Sequence, residues 1–578
     1  MNKNRMYCHV GLVAVVAFGM TASCLAALTT TTTSLGVSST SIMLGQMVIL
    51  TATVAPTPAV GGNVIFYDDT TFLGVASVSG GKAVFKTILL PAGLQTLTAS
   101  YGGDASDAAS STILPFKTVM VTPVSANAFR AAVNYPAGLS PVSVAVGAFG
   151  TSTNASLAVA DGESNTVGVL LGNGNGTFQP RVKYTVGTNP HAVALGDFNA
   201  DGYTDIAVTN LGGGVSILLG KADGTFVIPA VTYPAGVTPY GIAVADFNGD
   251  GIPDLAVAND NVGVSILLGV GNGSFQLPIT DTSVAPASVV AADFNGDGMA
   301  DLALTNPMTA TVSILLGNGT GAFTHLPDIT VGTRPYAIAV GNLRNLFLDL
   351  AVTDYAGDVW VLLGTGGGAF SAPVPYPVGS VPSSVAMGDL DGDGNLDLVV
   401  TSSYSNTVNV LFGNGHGAFP TGTNLAASGL PCSAALGPFK GDERTDLAVA
   451  NFYVLGSVSV LLADEYSISV KSGSPQNVRI EINPVFSLPL VVTVEDSSHT
   501  AVVGASVKYT AIPGITGASA TLGGASSATK TTGAGGIATT SPTVIKANTT
   551  VGSYFVDATV GFGGATAATA AFSLSNGK

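Results

Sequence analysis

The chain has few charged and few aromatic side chains. Of its 578 residues, 9% are charged, 7% are aromatic and a single one is tryptophan. Helical cytosolic enzymes are usually rich in glutamate, lysine and leucine, whereas five glutamates and 74 glycines occur here. The composition therefore favours β-rich extracellular modules over a helical fold.

Basic residues are also scarce. Nineteen Lys and Arg stand against 35 Asp and Glu, which gives a formal net charge of −16. Because no basic stripe is available to offset phosphate charge, nucleic acid is not an expected partner. Nearly all of the acid is aspartate, which indicates loops and cation ligands rather than solvated helix faces.

Cysteine is nearly absent. Cys8 and Cys24 lie close to the N-terminus, which leaves Cys432 alone in the rest of the chain. An exported protein without disulfides needs another source of stability, and a bound metal ion is one such source.

The N-terminal segment has the pattern of a secretory signal peptide. Lys3 and Arg5 precede an apolar stretch at 10–20 and the small residues "TASCLAA", and this order predicts a signal peptide over residues 1–28. A single-pass anchor is the alternative, but the apolar stretch is short for spanning a bilayer. Cys24 raises a lipoprotein alternative, although "TAS" lacks the usual leading Leu. No second apolar stretch is long enough to span a membrane, so we expect a secreted or cell-surface protein with no membrane span after signal removal.

No catalytic constellation is recognisable in the sequence. The four histidines beyond the N-terminal segment do not have metal-ligand spacing: His191, His325, His416 and His499. No nucleophile elbow, zinc-binding helix motif or phosphate-binding loop occurs, and glycine-rich stretches such as "LGNGNGTF" are followed by strands rather than helices. We therefore predict that the protein is not an enzyme.

A repeat of 47 or 49 residues fills the middle of the chain. The pattern P-x-x-(apolar)-A-x-G/A-D-F-N-G-D-G-x-x-D-L-A-V-x-N recurs between residues 141 and 462. Seven units begin at Pro141, Pro190, Pro239, Pro286, Pro335, Pro382 and Pro431. A fixed period of this length is typical of propellers and solenoids.

Each unit contains four short β-branched runs bounded by Gly, Asn and Asp, as expected of strands and hairpins. The first three are nearly continuously apolar, which predicts strands buried on both faces. Four strands repeated seven times predict a seven-bladed β-propeller. The last unit lacks its outer strand, but Phe129–Gly138 resembles the outer strand at Phe226–Gly236. We expect this N-terminal strand to complete the last blade and to close the ring.

Four units keep an aspartate-rich loop of the form D-x-(N/D)-x-D-G-x-x-D. Its first, third, fifth and ninth residues are Asp197, Asn199, Asp201, Asp205; Asp246, Asn248, Asp250, Asp254; Asp293, Asn295, Asp297, Asp301; and Asp389, Asp391, Asp393, Asp397. Alternate oxygens with a glycine at the turn suit Ca²⁺, whereas zinc and copper prefer nitrogen or sulfur. Val257 stands where an EF-hand would need a glutamate. An Asp/Asn/Gly-rich β-turn is the alternative for one loop, but four in-phase copies that keep the ninth Asp predict about four calcium sites.

The other three units have degenerate loops, and no metal is predicted there. Unit one has "AFGTSTNASL", unit five has the shortened "NLRNLFLDL", and unit seven has "PFKGDERTD" with Lys440 at a ligand position.

The repeats resemble FG-GAP (VCBS-type) repeats, which form the seven-bladed propeller of integrin alpha chains and occur in many secreted bacterial proteins. The resemblance covers about residues 128–465. It implies that the hairpin between the first two strands of a unit binds calcium and that partners dock on the opposite face.

Two further β-rich segments flank the repeats. Residues 29–124 alternate apolar and polar residues and resemble bacterial Ig-like repeats of adhesins, including "YGGD" after the penultimate strand. Residues 466–578 resemble the invasin-type bacterial Ig fold. The predicted fold class is all-β, with a seven-bladed β-propeller between two Ig-like β-sandwich domains.

The residue after each leading proline is expected near the mouth of the channel, opposite the calcium hairpins. His191, Tyr240 and Tyr336 occupy this position, and Tyr355 and Trp360 could extend the surface. These side chains are candidates for stacking on a sugar or gripping a peptide; the alternative is that they only plug the channel. The predicted function is a non-enzymatic, calcium-binding adhesion protein with an extracellular protein or glycan ligand. The alternative is a lectin-like or polysaccharide-degrading secreted protein.

Overall fold

A computed structural model describes residues 29–577 except for short internal segments. These segments are 59–61, 69–70, 104–105, 113–116, 123–127, 345, 454–455, 465–466, 473–475, 480–489, 497–500, 503–504, 513–519, 523–526, 533–536, 541–544, 548–551 and 561–567. The predicted signal peptide at 1–28 lies outside the described residues.

The N-terminal module is a two-sheet β-sandwich. Its strands are β1 (Thr32–Val37), β2 (Ser41–Met43), β3 (Val48–Ala55), β4 (Asn63–Asp68), β5 (Thr71–Ser77), β6 (Lys82–Thr87), β7 (Gly93–Tyr101), β8 (Ser110–Ser111) and β9 (Lys117–Thr122). One sheet has the order β1-β3-β6 and the other β2-β9-β7-β4-β5. Alternate residues of β3, such as Leu50 and Ala52, point into a core that also contains Phe66 and Tyr101. The predicted β-sandwich is therefore confirmed.

The described part of residues 128–464 forms seven blade sheets that repeat along the chain, together with two short two-stranded sheets. A short β10 (Ala128–Phe129) and β11 (Val133–Pro136) precede blade one. Blades one to three contain β12 (Pro141–Gly147), β13 (Ser156–Asp161), β14 (Thr166–Leu170), β15 (Val182–Thr185); β16 (Pro190–Gly196), β17 (Asp205–Asn210), β18 (Val215–Leu218), β19 (Val231–Tyr233); β20 (Pro239–Ala245), β21 (Asp254–Asn259), β22 (Gly263–Leu267) and β23 (Ile279–Asp281).

Blades four to seven continue the same pattern. They contain β24 (Ser288–Ala292), β25 (Asp301–Asn306), β26 (Thr311–Gly317), β27 (Phe323–His325), β28 (Ile329–Thr330); β29 (Pro335–Gly341), β30 (Asp349–Asp354), β31 (Asp358–Leu362), β32 (Gly364–Gly366), β33 (Ala369–Phe370), β34 (Val374–Pro377); β35 (Pro382–Gly388), β36 (Asp397–Ser402), β37 (Thr407–Phe412), β38 (Thr421–Ala426); β39 (Pro431–Gly437), β40 (Asp446–Asn451), β41 (Ser457–Leu461) and β42 (Ala463–Asp464).

The strands of a blade differ in burial. In blade three, every residue of β21 and β22 is buried, as predicted from their apolar runs. The first strand, β20, is buried only at its two ends and intermediate between them, so the prediction that it is buried on both faces is wrong. The physical reason is its position, since the first strands line the central channel, so one of their faces packs against neighbouring blades and the other faces the channel.

The N-terminal strand β11 pairs with the last blade. Val133 lies opposite Val460 and Tyr135 opposite Val458 in an antiparallel ladder with β41. The inner strand of blade one, β12, contacts β39 of blade seven. This is the arrangement expected when an N-terminal strand closes the ring and covers an exposed sheet edge.

The described residues of the C-terminal module form ten strands in three sheets. They are β43 (Ser467–Ser472), β44 (Gln476–Arg479), β45 (Val491–Glu495), β46 (Ser506–Ile512), β47 (Ala520–Leu522), β48 (Ser527–Thr531), β49 (Ile537–Thr539), β50 (Ile545–Ala547), β51 (Gly552–Val560) and β52 (Ala568–Gly577). Sheets β43-β45-β49 and β44-β52-β51-β46-β48 enclose one core that includes Val492, Tyr509 and Phe572. Arg130, next to β10, forms an ion pair with Asp496 of this module. Over the described part of the chain, no helix has the length and apolar character needed to cross a membrane.

Candidate metal centres

The four intact aspartate loops join the first and second strands of blades two, three, four and six. The ninth residue of each loop starts the second strand: Asp205, Asp254, Asp301 and Asp397. The loops therefore lie at the same end of the propeller, at the point where the inner strand turns outward.

The blade-three loop folds around its first aspartate. Asp246 accepts hydrogen bonds from the backbone N–H groups of Gly249 and Gly251, both at 2.7 Å, and Asn248 accepts one from Asp250 N at 2.9 Å. Gly251 has a φ of 76°, in the left-handed region that favours glycine. These hydrogen bonds tie the side chains of positions 1 and 3 to the backbone of positions 4 to 6, so the acidic residues belong to one compact turn.

The ninth aspartate is fully buried beneath this turn. Asp254 accepts hydrogen bonds from Gly269 N at 2.6 Å and from Phe247 N at 2.9 Å. Burial, with a contribution from the neighbouring Asp246, raises its pKa to about 8. The same two backbone donors and a raised pKa recur at Asp205, about 8, and Asp397, about 9.

Blade six brings three carboxylates closest together. Asp389, Asp391 and Asp397 are all buried, and each offers an oxygen within 4.8 Å of the others. Burial and mutual repulsion raise the pKa of Asp389 to about 7 and of Asp391 to about 6. An all-oxygen set of this density is the donor chemistry that Ca²⁺ prefers, so the residues present fit calcium, which would supply the positive charge that the carboxylates lack.

In three of the four intact loops, those of blades two, three and four, a phenylalanine also anchors the loop to the next blade. In blade three, the Phe247 ring meets the Phe323 ring edge-on at 5.8 Å, and Phe247 O accepts a hydrogen bond from Gly321 N at 2.9 Å. The same pair of contacts occurs in blades two and four: Phe198 meets Phe275 and accepts from Gly273 N, and Phe294 meets Phe370 and accepts from Gly368 N. It also occurs in the degenerate blade seven, where Phe439 meets Phe178 and accepts from Gly176 N. The hairpin that sequence reasoning assigned to a turn therefore holds the neighbouring loop in place.

Blades five and seven carry basic side chains within their degenerate loops. In blade five, Arg344 Nη2 donates to Asp349 Oδ1 at 2.9 Å and to Gly364 O at 2.6 Å. In blade seven, Lys440 Nζ lies 2.7 Å from Asp442 Oδ2, and Arg444 Nη1 lies 3.3 Å from the same atom. These two blades keep the ninth aspartate but have a protein cation beside the loop acids.

Blade one has lost the ninth aspartate itself. Ser156 occupies the position, and its Oγ accepts the hydrogen bond from Gly172 N at 3.0 Å. The blade-one loop contains no carboxylate, and the neutral Ser156 hydroxyl accepts the hydrogen bond that the ninth aspartate accepts in other blades. Sequence reasoning identified Lys440 but missed Arg344 and Ser156. The sequence contained the signal for both. "NLRNLFLDL" keeps the aspartate and gains Arg344, whereas "AFGTSTNASL" loses the aspartate and has the neutral Ser156 in its place.

The predicted ligand-binding residues come together at the opposite end of the channel. The rings of His191 and Tyr240 lie 3.6 Å apart, and the hydroxyls of Tyr240 and Tyr336 are hydrogen-bonded to each other. Tyr355 extends the cluster by edge contact with Tyr336 at 4.8 Å, and Arg334, which the sequence did not single out, lies 4.7 Å over the Tyr355 ring. Trp360 instead packs against the core between blades four and five.

Burial sets the protonation of this aromatic cluster. It lowers the pKa of His191 to about 4 and raises the pKa of Tyr240 to about 12. Both groups are therefore neutral near pH 7. Their mutual contacts agree with the plug interpretation, and they leave the ligand hypothesis as a prediction.

The fold and the site define a class: an all-β repeat propeller whose blades carry acidic loops. Comparison with protein families gives the same result. The FG-GAP-like repeat matches residues 154–208, 197–257, 246–304, 346–400 and 389–449, and the FG-GAP repeat matches 285–326. The bacterial Ig-like domain (group 3) matches residues 32–122. The chain contains FG-GAP repeats and an N-terminal bacterial Ig-like domain, which confirms the predicted resemblance over these residues.

A search of curated proteins finds no match. The crystal structure of BBS1N in complex with ARL6DN, soaked with mercury, aligns at 15% identity and a TM-score of 0.43, covering 59% of this chain and 98% of that one. The crystal structure of Chaetomium thermophilum Raptor aligns at 14% identity and 0.41, covering 58% and 30%.

Proposed function

We propose that the protein is an exported, calcium-binding and non-enzymatic adhesion protein whose propeller is a recognition scaffold. FG-GAP repeats together with an Ig-like domain indicate a repeat-based binding or adhesion protein. The calcium, the export and the class of partner are the finer parts of the proposal.

Charge compensation is the observation that carries the calcium proposal. Every blade that keeps the ninth aspartate has either three further oxygen ligands or a protein cation beside its loop acids, such as Arg344. The blade that lacks the aspartate has a neutral serine and no such cation in its loop. If the intact loops were only polar turns, they would hold buried like charges without a cation, which is unfavourable. There would then be no physical reason for a protein cation to appear only in loops that keep the aspartate but lack the full set of oxygen ligands. We therefore assign one calcium ion to each of blades two, three, four and six.

Equilibrium dialysis and thermal unfolding of the full chain test this assignment. We expect about four bound Ca²⁺ per chain and a lower melting temperature in chelator, since each site at a hundredfold excess over Kd adds about 2.7 kcal/mol to the free energy of unfolding. Asp254→Asn should remove one ion, whereas Asp349→Asn in the degenerate blade five should remove none. No bound ion together with an unchanged melting temperature would contradict the assignment.

The end of the propeller opposite the aspartate loops supports the recognition part. The turns that follow the second strands of blades four, six and seven expose Met308, Tyr404 and Tyr453, at 75%, 71% and 61% of their surface. Large exposed side chains at this end are available for contact with a protein partner. The aromatic cluster around Tyr240 lies at the same end and is the basis of the second candidate, a lectin-like function, in which a ring left accessible beside the plug would stack on a sugar.

A glycan and matrix-protein array in calcium and in chelator separates the two candidates. Binding to a matrix protein that Tyr404→Ala or Tyr453→Ala weakens supports adhesion. Binding to a glycan that only Tyr336→Ala weakens supports the lectin. The control Tyr376→Ala changes a partly buried residue on an outer strand, which neither surface includes.

A further inference from the structure

The N-terminal Ig-like module has a strand that is buried on both faces. In β4, Phe66 points into the core of the module, whereas Ile65 and Tyr67 point to the other side and are only 3% and 5% exposed. With Val75 of β5, these two side chains form an apolar cluster against Ala200, which belongs to the blade-two aspartate loop. A free Ig-like module would leave this face in water, so the burial marks a docking surface between the module and the propeller.

Polar and backbone contacts place the module directly on two aspartate loops. Asn63 Nδ2 donates to Ala200 O at 3.1 Å. At blade three, Gly251 and Gly102 approach so closely that a Cβ on Gly251 would lie 2.9 Å from Gly102 Cα. The candidate metal loops of blades two and three therefore form the floor of the interface.

Tyr67 is the polar group at this interface that lacks a partner. Its hydroxyl is buried, and it has no hydrogen-bond partner among the described residues. A buried hydroxyl without a partner is unfavourable, because it has lost its hydrogen bonds to water and gained none in return. Tyr67 and Asp246 line the same cavity of about 350 Å³, and the charges of Asp246, Asp254 and Asp250 contribute, after burial, to the raised pKa of the Tyr67 hydroxyl. The orphaned hydroxyl therefore belongs to a residue that shares a cavity with the first ligand of the blade-three loop.

We propose that Tyr67 completes the blade-three cation site across the domain boundary, so that a calcium ion there clamps the Ig-like module onto the propeller. This inference rests on the proposed calcium function and goes beyond it, because it assigns one of the sites a ligand group outside the repeat. Ca²⁺ takes only oxygen ligands, water among them, so the phenol oxygen would reach the ion either directly or through a bound water.

The physical reason for coupling is the shape of the loop. The turn that contacts Gly102 is the same turn that gathers Asp246, Asn248 and Asp250. Without a cation, repulsion among these acids favours an open loop, and an open loop cannot keep a contact as close as that between Gly251 and Gly102. Coupling is reciprocal, so docking of the module must in turn raise the calcium affinity of blade three.

Hydroxyl-radical footprinting of the full chain, read by mass spectrometry over residues 63–68, tests the clamp. In calcium we expect Ile65 and Tyr67 to be protected, and in chelator we expect their oxidation to rise at least fivefold. Asp250→Asn should raise oxidation in calcium to the same extent. Asp393→Asn, the matched change in the blade-six loop, should lose one ion in dialysis and leave the footprint unchanged.

The conservative variant Tyr67→Phe tests the hydroxyl itself. We expect the calcium concentration for half-maximal protection to rise at least threefold, with the melting temperature in chelator unchanged. Absence of any bound calcium would overturn the proposed function and the clamp together. Bound calcium with a footprint that does not respond to it, equal footprints for Asp250→Asn and Asp393→Asn, or an unchanged Tyr67→Phe titration would each overturn the clamp alone.

Discussion

Arg344→Met should destabilise the propeller, because the guanidinium is the cation beside the blade-five carboxylate. Asp349 is fully buried, and the Arg344 side chain is 21% exposed. Removing one partner of a fully buried ion pair costs about 3–5 kcal/mol. Since Arg344 is partly hydrated, the lower end applies, and we expect a loss of about 3 kcal/mol.

This loss converts to a measurable shift in thermal unfolding. With an unfolding entropy of about 2.1 cal/mol/K per residue and a propeller of roughly 330 residues, about 3 kcal/mol lowers the melting temperature by about 4 °C. The shift should be the same in calcium and in chelator, because the cation of blade five is a side chain of the protein and not a bound ion. Circular dichroism or calorimetry at fixed protein concentration measures it.

Two controls make this prediction specific. Lys221→Met removes an exposed lysine from blade two and should change the melting temperature by less than about 1 °C, as exposed pairs contribute about 0–1 kcal/mol. Arg344→Met combined with Asp349→Asn should recover part of the loss, since no buried charge remains. If Arg344→Met unfolds like Lys221→Met, or is destabilised only in chelator, the charge-compensation argument is wrong.

Three further predictions concern the loops and their anchors. Burial raises the pKa of Asp254 to about 8 and of Asp397 to about 9, so above about pH 4 the calcium-free fold holds protons that the unfolded chain has released. Its free energy of unfolding should therefore fall as pH rises from about 4 to 9, while the stabilisation by calcium grows. Melting curves across this pH range, with and without calcium, measure both effects. Phe247→Ala empties a buried site between blades three and four and should cost about 3–5 kcal/mol in denaturant unfolding; a loss below about 1 kcal/mol would contradict the anchoring role. Gly251→Ala forces a Cβ at positive φ into Gly102 and should cost about 1–3 kcal/mol, with Gly202→Ala, where no heavy atom lies within 4 Å, as the milder control.

Periodicity predicted the propeller because each blade repeats the same residues in the same phase. The apolar run of β21 identifies a strand buried on both faces, and the burial confirms it. The burial of β20 was predicted wrongly because "PYGIAVA" is as apolar as β21, and only the closed arrangement of blades shows that one of its faces lines a channel. Composition cannot distinguish a channel lining from a core.

The positions of the loop acids followed from spacing, but their partners did not. The link between Phe247 and Gly321 depends on the neighbouring blade, 74 residues later in the chain, and no local rule connects them. The same limit applies to Tyr67. Its run "NVIFYDD" is apolar at consecutive positions, a pattern that indicates a strand with both faces covered, yet the sequence does not say that the cover is an aspartate loop.

The two ends of the propeller are chemically unequal, and this inequality restricts where a partner can bind. At the loop end, Leu44 and Leu90 of the Ig-like module line a cavity of 660 Å³ together with Val244 and Leu436 of the inner strands, so the module covers the channel. A partner approaching this end would have to displace a domain that is joined to the propeller by its own chain. The opposite end has its channel closed by side chains and exposes Tyr404 and Tyr453 around it. If the clamp holds, calcium therefore acts on recognition indirectly, by fixing the module on one end and keeping the blades in register for a partner on the other.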